Sequence, residues 1–185
     1  MDFSAFLAEH AEPLSIRADK HVFRQGDRDR RVFFVRQGLL KAYYVASDGK
    51  ETIKSFVLPG GFIASLTAAY REEVCSFSLI CLEDSVLLPV EFEVIYGACQ
   101  QDIEVAALVL DAVLEFAMRK EQREMDFLCL SAEDRYRRLI ERSPELIERV
   151  RQMDIARYLG ITPVALSRIR KRFGETLRRG SGNPE

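Results

Sequence analysis

Residues that build metal and catalytic centres are scarce in this sequence. It has two histidines, His10 and His21, and four widely spread cysteines with no Cys-x-x-Cys pair. A zinc or iron–sulfur site needs closely spaced ligands, and a metal-dependent barrel enzyme needs two or three converging histidines. Ser/His/Asp or Cys/His catalysis also lacks a suitably placed histidine. We therefore predict no metal, no cofactor and no enzymatic activity, with the cysteines as reduced, mostly buried thiols or, alternatively, as redox sensors.

Long apolar runs are also missing. No run approaches the roughly 18 residues that span a bilayer, and the first residues, MDFSAFLAEHAEP, contain no basic segment ahead of an apolar one. The hydrophobic content of 48% and the charged content of 30% are ordinary for a soluble protein. A chain of 185 residues can form one or two compact domains. These features predict a cytoplasmic protein with no membrane partner.

Acidic residues are scarce in one segment of a chain whose net charge is −2. Residues 149–179 contain nine Lys or Arg residues and only two acidic ones, Asp154 and Glu175, so this segment carries +7 and the remainder −9. Basic segments on acidic bodies commonly contact polyanions, because each neutralised phosphate releases a condensed counterion. Charge alone leaves a solvated helix face as the alternative.

Residues 20 to 90 have the pattern of an antiparallel β domain. Short runs rich in β-branched and aromatic residues alternate with turn signals, and these runs are VFFV, LLKAYYV, TIKSFVL, CSFSLICL and SVLLPV. Asp48-Gly49 stands between two of them and predicts a tight hairpin, because a primed turn requires positive φ. The pattern predicts a sandwich or jelly-roll barrel, which we assign to residues 1–100.

The pattern changes at about Gln101. Residues 102–130 contain neither glycine nor proline, and small or apolar residues recur at alternating spacings of four and three: Ile103, Ala107, Leu110, Leu114 and Ala117. This spacing is typical of a coiled-coil seam or a long packed helix. A helix of about 40 Å is longer than a small barrel can cover. We predict a dimerisation helix over residues 101–130, the alternative being a helix that packs only on its own domain.

The segment QMDIARYLGITPVALSRIRKRF, residues 152–173, fits a helix-turn-helix. Gly160 falls where the turn requires positive φ, and Ala156 falls where the two helices cross and only a small side chain fits. Thr162 and Pro163 suit the N-cap and the first turn of the second helix. The positions expected to be buried hold Ile155, Leu159, Ile161, Leu166 and Ile169. Ser131, which forms a capping-box pattern with Asp134, marks the start of this domain, residues 131–185.

The second helix of this motif has a face suited to DNA. We expect the exposed face to carry Val164, Ala165, Ser167, Arg168, Lys171 and Arg172. Arg168 is the predicted base reader, because bidentate arginine to guanine is the commonest specific contact. The alternative for Arg168 is a phosphate contact without sequence information. Contacts to the DNA backbone are expected from Gln152, Thr162, Ser167, Arg170, Lys171 and Arg172.

A β-roll, a long helix and a helix-turn-helix, in this order, resemble the Crp/Fnr family of bacterial transcription regulators. The resemblance is carried by DIARYLGITPVALSRIRKRF, SAEDRYRRLIERSPELIERV, CLEDSVLLPV and FRQGDRDRRVFFVRQGLLKAYYVASDGKETIKSFVLPGGFIASL. It implies an α+β fold with an N-terminal antiparallel β-roll (jelly roll) of the cyclic-nucleotide-binding type. It also implies a homodimer, double-stranded DNA as partner and RNA polymerase as a further partner. The competing hypothesis is a ligand-sensing or protein-interaction module that does not bind DNA.

The phosphate cassette departs from the family pattern. Members that bind cyclic nucleotides carry Gly-Glu-Leu followed by Arg-Ser or Arg-Thr, whereas Ala64-Ser65-Leu66 and Cys75-Ser76 stand at those places here. We read Arg71 as a solvated loop residue, so no cation is left for a buried phosphate, and cyclic AMP is not expected to bind in the usual way. The effector stays open: an apolar ligand, given Phe62, Leu66, Phe77 and Leu79, or none. The degenerate cassette comprises Gly61, Phe62, Ala64, Ser65, Leu66, Cys75 and Ser76.

Two further departures lie near the C-terminus. The Arg-Glu pair that activator members carry on the recognition helix is replaced by Pro163-Val164, so only Arg168 matches and the preferred DNA sequence should differ. After that helix the chain reads GETLRRGSGNPE, which predicts that most of the family's β-hairpin wing is missing and that the tail is disordered. Arg178 and Arg179 are expected to replace the wing's phosphate contacts.

Overall fold

The computed structural model describes residues 3–180, and it describes the side chains of residues 6–174. The chain packs as two compact units, Met1–Lys120 and Glu121–Glu185. Helix α4 (Ile103–Cys129) contributes to both, because the division falls within it. The domain boundaries drawn from sequence, at residues 100 and 130, stay predictions, and the packing divides the chain inside this helix.

The described part of the first unit contains short strands, and three helices precede α4. The strands are β1 (Leu14–Ile16), β2 (His21–Phe23), β3 (Arg31–Gln37), β4 (Leu40–Val45), β5 (Glu51–Val57), β6 (Phe62–Ile63), β7 (Ser78–Cys81) and β8 (Ser85–Glu91). The helices are α1 (Phe3–His10), α2 (Leu66–Arg71) and α3 (Phe92–Gln101).

Within the described residues the strands form two antiparallel sheets, ordered β1-β8-β3-β6 and β2-β7-β4-β5. Side chains from both sheets meet in one core, in which Phe33, Phe77 and Leu79 are at most 2% exposed. Strands β3, β4, β5 and β8 coincide with predicted runs, and β7 lies within CSFSLICL. The predicted antiparallel β-roll is therefore confirmed.

The predicted hairpin joins β4 to β5, but its loop is longer than a two-residue primed turn. Five residues, 46–50, connect the strands, and of these only Gly49 has a positive φ, at 81°. A primed type I turn would require positive φ at Asp48 as well. Asp48 instead accepts a hydrogen bond from the Lys50 N–H at 3.0 Å, which stabilises the wider loop.

Helix α2 lies within residues 20–90, for which the sequence predicts β structure, whereas α1 and α3 flank that range. Helix α2 has only six residues, and Ile95 is the buried residue of α3. Neither helix shows the repeated spacing of three and four that identifies a helix over several turns. One consequence corrects the sequence analysis: Arg71 is the last residue of α2 and not a loop residue, although its side chain is exposed as expected.

Helix α4 matches the predicted long helix closely. Asp102 separates it from α3 with an extended backbone, φ −130° and ψ 114°, and its carboxylate accepts from the Glu104 N–H at 2.8 Å. This is an N-cap bond, which satisfies one of the free donors at the start of a helix. Among the described residues, no helix is both long and apolar enough to cross a membrane.

Beyond the end of α4, the described part of the second unit is helical: α5 (Ala132–Arg142), α6 (Pro144–Arg149), α7 (Gln152–Leu159) and α8 (Pro163–Gly180). Ser131 caps α5 as predicted, because its Oγ accepts from the Asp134 N–H at 3.2 Å. The Asp134 carboxylate accepts from the Ser131 hydroxyl at 2.6 Å. In a full capping box the side chain at this position instead accepts from the backbone N–H of the N-cap residue. The tail, residues 181–185, lies outside the described residues, so the missing wing and the disordered tail stay predictions.

Candidate nucleic-acid interface

The turn between α7 and α8 has the geometry that the sequence predicts. Gly160 follows α7 with φ 69° and ψ 32°, and the Ile161 N–H donates to the Ala156 carbonyl at 3.0 Å. Helices commonly end in this way, with a residue in the left-handed backbone conformation followed by such a hydrogen bond. Glycine adopts that conformation without steric cost because it has no Cβ. Thr162 caps α8, since its Oγ1 accepts from the Ala165 N–H at 3.1 Å.

The predicted helix-helix core is present with one difference. Ala156 is fully buried at the crossing, and the apolar positions are at most 4% exposed at Ile155, Leu159, Leu166 and Ile169. Ile161 is only half-buried, because it lies in the turn itself rather than on either helix. The pair of helices is thus held by residues that all lie on the inner sides of α7 and α8.

The outer side of α8 presents polar and basic side chains to solvent. Ser167, Arg168 and Lys171 are exposed, and Val164 is 62% exposed in the first turn. Among the described side chains, Arg168 has no ion pair or side-chain hydrogen bond, so its guanidinium is available to a ligand. Ala165 differs from the prediction: it is half-buried and does not belong to the exposed face.

The residues predicted to contact the DNA backbone do not all share this face. Gln152 and Thr162 are exposed at the starts of α7 and α8. Arg172 is exposed but pairs with Glu133 of α5 at 3.4 Å. Arg170 is half-buried, about 160° around the helix from Arg168. Arg178 and Arg179 lie outside the described side chains, so the structure does not place their guanidinium groups.

A cluster of aromatic rings and arginines, missed by the sequence analysis, supports the turn. The guanidinium of Arg123 lies 4.8 Å from the Phe127 ring centroid and 3.9 Å from that of Tyr158, and it donates to the Tyr158 carbonyl at 3.1 Å. The guanidinium of Arg135 lies 5.0 Å from the Phe127 ring centroid and donates to the Leu159 carbonyl at 3.2 Å. Two of the free carbonyls at the end of α7 are therefore capped by charge.

This arginine cluster ties the last two turns of α4 to the helix-turn-helix. Burial lowers the pKa of the Arg123 guanidinium, and the neighbouring Tyr158 opposes that shift. Asp126, one turn from Arg123, accepts from Gln122 at 2.9 Å and pairs with Arg138 of α5. The sequence did contain a signal for this cluster. Phe127 follows Arg123 by four residues on the side of α4 away from the predicted seam, where an aromatic side chain needs another partner.

Helix α4 has two opposite faces in its first half. Val105 is 4% exposed on the side that packs on the β-roll, where the Phe116 ring lies 6.1 Å from that of Phe62. The predicted seam residues all lie within about 40° of one direction on the other side. All of them are exposed: Ile103, Ala107, Leu110, Leu114 and Ala117. Ile103 is 84%, Leu110 57% and Leu114 50% exposed.

The two halves of the degenerate cassette are bonded to each other. Ser65 is 1% exposed, and its Oγ accepts from the Ser76 N–H at 3.2 Å and lies 3.1 Å from Thr67 Oγ1. Cys75 is fully buried in the β-roll core, and its thiol donates to the Asp29 carbonyl at 3.7 Å. Burial raises the pKa of this thiol, so a neutral group stands where the family's arginine would be.

The remaining cassette residues vary in exposure. Gly61 and Phe62 are half-buried and Ala64 is buried, whereas Leu66 is 56% exposed on α2. Phe77 and Leu79, suggested as an apolar lining, are core residues of the β-roll. A cation, Lys54, lies near Phe77: its Nζ is 4.5 Å from the Phe77 ring centroid and 5.7 Å from that of Phe116. The cassette therefore offers hydroxyl and apolar groups rather than an arginine.

The cysteines and histidines do not assemble into a centre within the described residues. No group of three or more His, Cys, Asp or Glu side chains there could hold a metal ion. The four cysteines are free: Cys75 and Cys81 are buried, Cys99 is half-buried, and Cys129 is exposed. Burial raises the pKa of the Cys81 thiol as it does that of Cys75.

Comparison with known proteins agrees with this architecture. Residues 13–102 match the family model of the cyclic nucleotide-binding domain. The chain is 30% identical over 175 residues to the transcriptional regulatory protein btr of Bordetella pertussis, an alignment that covers 88% of this chain and 71% of that protein. It is 25% identical over 180 residues to the anaerobic regulatory protein of Haemophilus influenzae, covering 90% of this chain and 68% of that protein.

The fold is also that of a solved structure. The structure of FixK2 from Bradyrhizobium japonicum matches with a TM-score of 0.76 and 21% identity, over 90% of this chain and 85% of that chain. The curated relatives are regulators and not enzymes. Relatives that align along both the β-roll and the helix-turn-helix favour a regulator over an isolated ligand-sensing module. The chain therefore belongs to the Crp/Fnr family of DNA-binding transcriptional regulators.

Proposed function

We propose that this protein binds double-stranded DNA as a homodimer, with α8 of each copy in the major groove of one half-site. The observation that carries the proposal is the exposed basic face of α8, which the buried Leu166 and Ile169 orient away from the core. The net charge of +7 over residues 149–179 supplies the attraction for phosphates. The chain acts in the cytoplasm, where bacterial DNA lies, and contacts RNA polymerase there; no catalytic step is assigned to it.

Each residue of the interface has a role that fits its position. Arg168 projects from the second turn of α8 and reads a guanine through its two parallel donors. Phosphates are bound by exposed residues on α7 and α8 and at the N-cap of α8: Gln152, Ser167, Lys171 and Thr162. Arg170 and Arg172 contribute positive charge at the edges of this face. Arg172 exchanges its ion pair with Glu133 for a phosphate, and breaking an exposed ion pair costs little.

The homodimer is supported by the exposed seam of α4. Apolar side chains as exposed as Ile103 and Leu110 form a continuous stripe on the side of the helix opposite the β-roll. A second copy of the same helix covers such a stripe by a two-fold arrangement in which each seam residue meets its own counterpart. Two helix-turn-helix units in one dimer then bind a pseudo-palindrome with half-sites about one helical turn apart.

Arg168→Ala tests the base-reading role. The preferred site is first selected from a randomised DNA library with the wild type. On that site we expect the substitution to weaken binding by about 1–3 kcal/mol and to relax preference at one base pair per half-site, because a bidentate contact to guanine is lost. Gel shifts on the selected site and on single-base variants measure both effects.

Lys171→Ala is the matched control for Arg168→Ala. It removes a phosphate contact, so we expect binding to weaken by the same factor on every sequence. The slope of the logarithm of affinity against the logarithm of salt concentration should become shallower by about one. If Arg168→Ala behaves in the same way as Lys171→Ala, the arginine is a phosphate contact only. If the wild type protects a single half-site as a monomer in footprinting, the dimer model is wrong.

Cyclic AMP is expected not to bind through the cassette. A buried phosphodiester without a cation costs more than the Ser65 and Ser76 hydrogen bonds return, and these groups already bond to each other. Calorimetry with cyclic AMP and cyclic GMP should therefore detect no binding at micromolar ligand. A micromolar dissociation constant that Arg71→Ala or Lys54→Ala abolishes would contradict this expectation and would assign the missing cation to that residue.

A further inference from the structure

We infer that Val164 contacts the C5-methyl group of a thymine one or two base pairs from the one read by Arg168, and that it sets the preference for thymine there. The inference rests on the proposed function, because it requires α8 to lie in the major groove. It adds a second determinant of sequence to the single arginine that the family pattern leaves in this chain.

The position of Val164 supports this role. It is 62% exposed in the first turn of α8, whereas the next apolar residues of the helix, Leu166 and Ile169, are at most 4% exposed in the core. Val164 and Arg168 are four residues apart, so their side chains lie on one side of the helix about 6 Å from each other. The first turn of a recognition helix faces base edges, and neighbouring base pairs are about 3.4 Å apart. The two side chains therefore reach adjacent or next-but-one base pairs.

The chemistry of the base edges selects thymine. In the major groove guanine presents acceptors, cytosine a donor, and adenine one of each, while thymine adds the C5-methyl group to its acceptor. A valine has no polar atom, so it would displace water from a donor or acceptor without replacing the hydrogen bond. Against the methyl group it gains apolar contact instead. The exposed cations on the same face, Arg168 and Lys171, make a nucleic acid rather than an apolar protein surface the occupant of this patch.

The test removes one methyl group at a time from the DNA. In the site selected with wild-type protein, each thymine is replaced in turn by deoxyuridine, which lacks only the C5-methyl. We expect one position per half-site at which the wild type binds about fourfold more weakly, the factor that corresponds to roughly 0.8 kcal/mol for one buried methylene-sized group. With Val164→Ala the loss at that position should fall below twofold, while other thymines behave as they do with the wild type.

Val94→Ala is the matched control, because Val94 is also exposed, at 38%, but lies on α3 of the first unit. It should leave the deoxyuridine scan unchanged. If the scans of the wild type and Val164→Ala are the same at every thymine, the inference is overturned while DNA binding stands. If the wild type selects no sequence from the library, the proposed function fails and the inference fails with it.

Discussion

Leu110→Asp should convert the dimer to a monomer. In the proposed assembly Leu110 meets its counterpart across the two-fold axis, so the substitution places two like charges together in an apolar seam and removes two leucines from it. An unpaired buried charge costs several kcal/mol, and about 4 kcal/mol corresponds to a dissociation constant raised roughly a thousandfold. Light scattering and sedimentation at micromolar concentration measure the change, and affinity for the full pseudo-palindrome should fall with it.

Leu66→Asp is the matched control for the seam. Leu66 is 56% exposed and Leu110 is 57% exposed, and both lie on helices of the first unit, but Leu66 is not on α4. We expect Leu66→Asp to remain dimeric, and we expect both variants to keep the wild-type circular dichroism spectrum. A wild type that is monomeric at micromolar concentration would rule out the seam, as would a Leu110→Asp variant that dimerises as tightly as Leu66→Asp.

Gly160→Ala should destabilise the second unit by about 2–5 kcal/mol. A residue with a Cβ in the left-handed region costs about 1–2 kcal/mol, and Gly160 has φ 69°. The added Cβ would also lie 2.8 Å from Phe127 Cε1, and the guanidinium groups of Arg123 and Arg135 lie 4.8 and 5.0 Å from the centroid of that ring. Overpacking of this kind costs a further 1–3 kcal/mol or so. Chemical denaturation followed by circular dichroism gives the loss, and DNA affinity should fall because the angle between α7 and α8 changes.

Two controls separate the strain from the clash at Gly160. Gly49 also has a positive φ, 81°, but an added Cβ there meets nothing within 4 Å, so Gly49→Ala should cost only the backbone strain. Gly160→Ala combined with Phe127→Leu should recover part of the loss, since the smaller side chain can move aside. If Gly160→Ala is no more destabilising than Gly49→Ala, Phe127 does not pack on the turn as described.

The helix-turn-helix could be predicted from the sequence because its determinants are local. Gly160, Ala156 and the cap at Thr162 act within a few residues of themselves, and their spacing is fixed by the geometry of a single helix. The same holds for the stripe on α4, since a repeat of three and four residues defines one side of a helix whatever surrounds it. The absence of an arginine at Cys75 is likewise a property of the sequence alone.

Contacts between residues that are distant in the chain could not be predicted from the sequence. Nothing in the local sequence around Ser65 indicates that its hydroxyl accepts from Ser76, because the two are brought together only when α2 and the segment before β7 pack on the β-roll. Cys75 could have been a surface thiol, and it is the fold that buries it in the core and keeps it neutral.

The second unit shows the same division. The turn at Gly160 and the exposure of Val164 and Arg168 follow from local sequence, because helical periodicity sets which residues share a side of α8. Only packing decided that Arg123 stacks on Tyr158 and caps its carbonyl, since those residues are 35 positions apart. Periodicity predicts which side chains lie on the same side of a helix. Which residues pack against that side depends on the contacts between helices and strands, and therefore on the whole fold.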